Sequence, residues 1–375
     1  MVNKKRLIET IQKLISLDSQ NPPGDERQIA AFVERYLKNL GLKIKTYAFS
    51  DKRVNILATL PGEQRQKSLL LTPHLDTVPA GASWKTPALT AKIIGNRIYG
   101  LGSTDCKGNL ASALEAINAL VEDGVKLNYD LIFAATADEE SGSALGLIPL
   151  LERKILKADV AVVLDADDFE IVITQKGLMH LTVRVGGKKA HGAYPWLGVN
   201  AIDLAAKIII DLKNKHPRYI KNKYLHQPTI NVGTIKGGDK VNVVSDWCEF
   251  ELDFRFLPGT GEKEILSSLR KTIAQHTKNY EIKIQGIQDP YYIDPGHPLV
   301  SSLALAMESL KIKPRITGSE GATVITFFKE MNIPAIATGF GTEGCAHIAD
   351  EYASLDNLHK GAQVLVEFLK NYKFV

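Results

Sequence analysis

Four short apolar runs, at 68–71, 129–135, 160–164 and 333–339, are each followed by a histidine or an acid, and this pattern constrains the fold more than anything else in the chain. Runs of this length and texture read as buried strands. Helical patterns at 109–123 and 145–154 lie between them, and such alternation points to an α/β sheet covered by helices. Open α/β sheets carry ligands beyond the carboxyl ends of their strands, which is where His74, the acids at 138–140, Asp165 and His347 fall.

The flanking chain extends this picture. Ile8, Ile11, Leu14 and Ile15 recur at helical spacing, and Asp18-Ser19-Gln20-Asn21-Pro22-Pro23-Gly24 ends that helix. A second helix runs from Asp25-Glu26 to about Leu40, stopped by Gly41, before strand-like segments at 43–49 and 54–60. The texture changes after Gln175-Lys176-Gly177. A strand at 180–185, a helix at 200–213, strands at 229–233 and 249–256, a helix at 262–277 and a strand at 280–285 follow the β-α-β-β-α-β order of a ferredoxin-like domain. A helix at 298–310, strand-like segments at 314–316 and 333–339 and a last helix at 358–370 resume the first texture. At 375 residues the chain exceeds what one core serves well, so the expected organisation is one α/β domain, 1–177 and 288–375, with residues 178–287 inserted.

Charge excludes some partners. With 46 basic and 42 acidic side chains the formal charge of +4 makes no case for nucleic acid or an anionic membrane. The densest basic run, Lys213, Lys215, His216, Arg218, Lys221 and Lys223, surrounds a helix end, where cations are favoured and solvated. Lys4, Lys5 and Arg6 precede no unbroken apolar stretch, so no signal peptide is expected, and no segment approaches the roughly 20 apolar residues of a membrane span. Cys106, Cys248 and Cys345 are odd in number and scattered, which argues for a reducing interior and a cytoplasmic protein.

The chemistry concentrates in a few motifs. In Thr72-Pro73-His74-Leu75-Asp76 the imidazole suits a metal and the carboxylate two residues on can orient it. Gly100-Leu101-Gly102-Ser103-Thr104-Asp105-Cys106-Lys107-Gly108 superficially suggests a phosphate loop. Asp105 stands where a dinucleotide fingerprint needs its third glycine, and no Walker Gly-Lys-Ser/Thr ending follows. Read for metals, Asp105 offers two oxygens that can bridge two cations. Glu139 and Glu140 diverge at a strand end, so one can ligate while the other takes a proton from water. Asp165 ends an apolar strand, where an uncompensated carboxylate is costly and a ligand role accounts for it; Asp167 is the reserve candidate. His347 supplies a late nitrogen donor.

Taken in order, His74-Leu75-Asp76, Gly102–Gly108, Asp138-Glu139-Glu140-Ser141-Gly142, Gly187-Lys188-Lys189-Ala190-His191, Gly198-Val199-Asn200-Ala201 and Cys345-Ala346-His347-Ile348-Ala349-Asp350-Glu351 resemble one family over nearly the whole chain. It is that of the di-zinc metallopeptidases, which include aminoacylase, glutamate carboxypeptidase, acetylornithine deacetylase and succinyl-diaminopimelate desuccinylase. The resemblance implies a zinc-peptidase catalytic domain with a mixed sheet flanked by helices, and an inserted ferredoxin-like α+β lid and dimerisation domain. It implies two zinc ions, with cobalt or manganese as alternatives. His74 and Asp165 would hold one, Glu140 and His347 the other, with Asp105 bridging. Glu139 would serve as general base and then acid, and Asp76 would support His74. From the inserted domain, which would form a homodimer, His191 would polarise the scissile carbonyl and Asn242 and Arg255 would contact substrate.

Three departures bear on substrate. Asp165-Ala166 stands where acyl-removing members usually have Glu-Pro and is more like the aminopeptidase branch, Pro73 replaces a common Gly, and Cys106 a common Met. The expected activity is hydrolysis of the amide bond of a short peptide or N-acyl amino acid. The alternatives are an aminopeptidase acting on di- or tripeptides and a catalytically silent binding relative.

Overall fold

Ser68–Thr72 and Val160–Val163 bury nearly every side chain because helices cover both faces of the sheet they enter. The computed structural model, which describes residues 1–215 and 217–374, sets them at the centre of a mixed sheet. Its order is Lys43–Ser50, Arg53–Leu60, Asp130–Ala135, Ser68–Thr72, Val160–Val163, Ala335–Thr338 and Glu170–Gln175. The strands from Asp130–Ala135 to Ala335–Thr338 are mutually parallel, and the flanking ones pair antiparallel. Four carboxyl ends therefore open on the same side, which is the prerequisite for the site below. His216 of the basic run lies outside the described residues.

The helix Lys107–Glu122 is buried from Lys107 to Leu120, because Lys4–Ile15 and Leu355–Asn371 both pack against it. Ala111, Ala113, Ala116 and Ala119 keep its girth small enough for that. Its one fully buried acid, Glu115, is satisfied by Arg6 at 2.7 and 2.9 Å and by the Asn3 amide at 2.6 Å. Lys107 at its start is buried as well and donates to the Leu17 carbonyl at 2.8 Å. Among the described residues no helix is long and apolar enough to cross a membrane.

The chain divides into two compact units: Met1–Ile173, Ile293–Thr317 and Phe327–Val375 make the first, Thr174–Tyr292 and Gly318–Thr326 the second. The second holds an antiparallel sheet in the order Thr229–Gly237, Trp247–Phe256, Gly177–Gly186, Tyr280–Gln288. Alternate residues Met179, Leu181, Val183 and Val185 meet Phe250, Leu252 and Phe254 and the inner faces of Ala201–Asn214 and Glu262–Ile273 in one apolar core. With those helices the order is β-α-β-β-α-β, as in ferredoxin-like domains. A two-residue ladder, Ala190–His191 with Val243–Val244, stands apart from that sheet.

Candidate metal centre

Each candidate ligand leaves a strand end or a turn of the first unit. His74 follows Ser68–Thr72, Asp165 follows Val160–Val163, Glu139 and Glu140 begin the turn after Asp130–Ala135, and Asp105 precedes Lys107–Glu122. His347 comes from the loop after Ala335–Thr338 and has a left-handed backbone, φ 60°. Asp138, φ 65°, is bent the same way and turns Glu139 out of the strand direction.

Two groups of donors converge, His74 with Asp105 and Asp165, and Asp105 with Glu140 and His347, the donor atoms of each lying within 4.8 Å of one another. Asp105 belongs to both. Its Oδ1 lies 2.9 Å from His74 Nε2, and its Oδ2 lies 3.0 Å from His347 Nε2. His347 Nε2 is also 3.2 Å from Glu140 Oε2, and His74 Nε2 is 3.9 Å from Asp165 Oδ1. Donors on one tetrahedral zinc stand roughly 3.3 Å apart for bonds of about 2.0–2.1 Å, so the donor set fits a pair of divalent ions sharing one carboxylate. Asp167 is in neither group; its backbone bridges to Gly341.

The electrostatics agree with a cation site. Burial pushes Asp165 up to about 7, with the charges of Asp105 and Glu140 adding. Burial and then Asp105 and Asp165 push Asp167 up to about 8. Glu139 is raised well above the carboxylate range, by burial first and then by Asp165. Burial would raise Asp105 too, but hydrogen bonds from His347 and His74 outweigh it and hold it low. His347 in turn is pushed up to about 10 by Asp105 and Glu140. The pocket holds more acid than the side chains around it neutralise, and divalent ions would displace these protons.

The supports differ from expectation in one respect. His74 Nδ1 donates to the backbone carbonyl of Asp76 at 3.0 Å, while the Asp76 carboxylate is 3.6 Å away. A carbonyl only accepts, so it holds a proton on Nδ1, which leaves Nε2, facing Asp105 at 2.9 Å, as the nitrogen a metal would take in place of a proton. Besides facing the ring, the Asp76 carboxylate accepts the amides of Glu139 at 3.0 Å and Glu140 at 3.1 Å. Glu351, which motif reading did not single out, accepts the amides of Gly102, Thr104 and Asp105 at 2.8, 2.8 and 3.0 Å and so shapes the loop carrying Asp105. Cys106 is buried, and its Sγ accepts the His74 amide at 3.2 Å. Asn109 joins two loops of the site, donating to the Ala166 carbonyl at 3.3 Å and accepting the Phe340 amide at 2.8 Å.

His191, Asn242 and Arg255 lie in the second unit. His191 is paired with Val243, and the Gly192 amide donates to the Asn242 carbonyl at 2.8 Å, so His191 and Asn242 are neighbours. Both are exposed. Arg255 stands apart on Trp247–Phe256, its guanidinium held by both Asp253 oxygens at 2.7 and 3.0 Å.

The sequence and the fold have known counterparts. Over 98% of its length the chain is 28% identical to acetylornithine deacetylase of Vibrio atlanticus, covering 98% of that protein. Its fold is similar to that of aminopeptidase PepT from Bacillus cereus, with a TM-score of 0.84 at 24% identity over 98% of each chain. A tripeptidase from Staphylococcus aureus is similar with a TM-score of 0.80 and 26% identity, over 99% of this chain and 98% of that one. The sequence signature of Peptidase family M20/M25/M40 matches residues 70–371, which span His74 to His347: the chain belongs to this family and is a hydrolase of amide bonds.

Proposed function

We propose that the first unit binds two divalent metal ions, zinc first and cobalt or manganese as alternatives, with His74 and Asp165 on one, Glu140 and His347 on the other and Asp105 between them. The observation that carries this reading is the divided attention of Asp105, whose two oxygens face two different histidines. When bound, such ions polarise a scissile carbonyl and lower the pKa of water. Glu139, beside the donors but in neither group, takes the proton of the attacking water and returns it to the leaving nitrogen.

The proposed substrates are short peptides or N-acyl amino acids with a free α-carboxylate, read by Asn242 and the guanidinium fork of Arg255, while His191 stabilises the oxyanion. Aminopeptidase action on di- or tripeptides is the second reading. It is favoured by Asp165 and by the hold of Asp253 on Arg255, which leaves less of the fork for substrate. Matched dipeptides, one N-acetylated and one C-amidated, decide between them by kcat/KM. Strong loss on amidation with tolerance of acetylation supports the carboxylate reading, and the reverse pattern assigns the aminopeptidase.

The second unit is proposed as a lid and homodimerisation domain. Beside His191 it exposes Tyr194, Trp196 and Leu197, at 52, 74 and 60%, an apolar cluster suited to burial against a second copy. Sedimentation at micromolar concentration returning only monomer would remove that proposal. A cytoplasmic location is proposed on the three buried, unpaired cysteines.

A further inference from the structure

A line of buried polar side chains links the strand Arg53–Leu60 to the turn that carries Glu139. Arg53 Nη1 donates to Glu26 Oε1 at 2.5 Å, and its Nη2 donates to Asn21 Oδ1 at 2.8 Å and faces Asp138 Oδ1 at 3.4 Å. The Asn21 amide reverses the direction: Nδ2 donates to Asp76 Oδ2 at 2.8 Å. Asp76 then accepts the amides of Glu139 and Glu140 at 3.0 and 3.1 Å. Asn21, Glu26, Asp76 and Asp138 are all buried, and none but Asp76 touches a candidate ligand side chain.

The chemistry of the middle position is narrow. Asn21 Oδ1 accepts from Arg53 and from Ser141 Oγ, the latter at 3.0 Å, while Nδ2 faces Asp76 and, at 3.4 Å, Asp138 Oδ1. A side chain there must accept on one side and donate on the other, which an amide of this length does and a carboxylate or an aliphatic group does not. The arrangement also has backbone strain to restrain, since Asp138 has φ 65° and its carboxylate is tied to the Leu145 amide at 2.9 Å.

We propose that Asn21 is a positioning residue for Glu139: its amide, steered by Arg53, locks the Asp76 carboxylate, and through it the backbone of Glu139, so that the base is held where the proton must move. This rests on the reading of Glu139 as general base. Misplacing a catalytic group by about 1 Å can cost on the order of a hundredfold in rate, which sets the expected scale.

The test uses metal-loaded full-length protein and the substrate on which it turns over best. Asn21→Asp keeps shape and the contact to Arg53 but loses the donor toward Asp76. It should lower kcat by roughly 10- to 100-fold, leave KM within about threefold and retain both metals by elemental analysis. Placed in a Glu139→Gln background, the same change should take nothing further from the residual rate, because residues acting through one another are not additive. A merely structural role would lower the residual rate again. Should Asn21→Asp fail to fold, Arg53→Lys keeps the charge opposite Glu26 while removing the fork, and must give the same pattern. Unchanged kcat, loss of metal in step with activity, or additivity with Glu139→Gln overturns the inference. Full activity in Glu139→Gln alone sinks the general-base reading instead.

Discussion

Glu351→Gln is a change whose effect can be worked from three hydrogen bonds. Oε1 accepts the amides of Thr104 and Asp105 at 2.8 and 3.0 Å, and Oε2 accepts that of Gly102 at 2.8 Å. Glutamine can set its oxygen at the first position only. Its NH2 then opposes the Gly102 amide, leaving a buried donor unpaired at about 1–3 kcal/mol, and the other two bonds lose the assistance of charge. Removing a buried charge offsets part of this. Burial pushes Glu351 up to about 7 against the three amide bonds, so the comparison belongs above about pH 8, where the carboxylate is ionised. We expect a net loss of about 2–3 kcal/mol in the metal-free protein, read by urea unfolding. Because the same loop carries Asp105, zinc affinity by chelator competition should also fall by about 10- to 100-fold. Stability and zinc affinity both unchanged would refute the argument that Glu351 shapes the loop.

Two further outcomes follow from the geometry. Gly361 sits inside Leu355–Asn371, where alanine would ordinarily gain about 1 kcal/mol, but a Cβ there would meet the Phe340 ring at 2.1 Å; Gly361→Ala should therefore destabilise by about 1–3 kcal/mol, and a raised Tm would contradict the packing. Metal uptake should release protons, since His347, pushed up to about 10, and Asp165, at about 7, carry protons near neutrality that ligation removes. The metal-free form then binds more protons than the loaded one, so affinity falls as pH falls, about tenfold per unit for each proton released between roughly pH 6 and 8. Calorimetry in buffers of different ionisation enthalpy measures that number directly, and a value of zero would count against these ligands.

The fold is legible in the sequence where burial is one-sided or complete. Leu69, Leu70 and Leu71 are all buried, so the strand announces itself as an unbroken apolar run, and Met179 to Val185 alternate because one face of their sheet is covered. The strands Lys92–Ile94, Arg97–Tyr99 and Tyr352–Ser354 escape because each has three residues and the first is exposed throughout. Three residues cannot establish a period. Glu170–Gln175 escapes for another reason: only Lys176 separates it from the strand Gly177–Gly186, so no turn of its own marks where one strand ends and the next begins.

The site divides along a different line. Metal ligation admits few residue types, so His74, Asp105, the pair Glu139-Glu140, Asp165 with Asp167 in reserve, and His347 read as candidates through their ordered set, and the resemblance divides the roles among them. Their supports act on backbone amides, and a backbone amide has no letter in the sequence. Asn21 reads as an ordinary turn residue before Pro22-Pro23, and Glu351 as an acid in a polar loop. Asp76 shows that local spacing names only part of what a side chain does. Two residues from His74 in extended chain, its carboxylate looks assigned to the imidazole. In the folded protein that carboxylate lies 3.6 Å from the ring and 3.0 and 3.1 Å from two amides 63 and 64 positions later. A charge-assisted bond to an N–H that would otherwise be unpaired in a turn outweighs a contact with a ring nitrogen already satisfied by a carbonyl. That competition is settled by which donors lack partners, a property of the assembled site and not of local spacing.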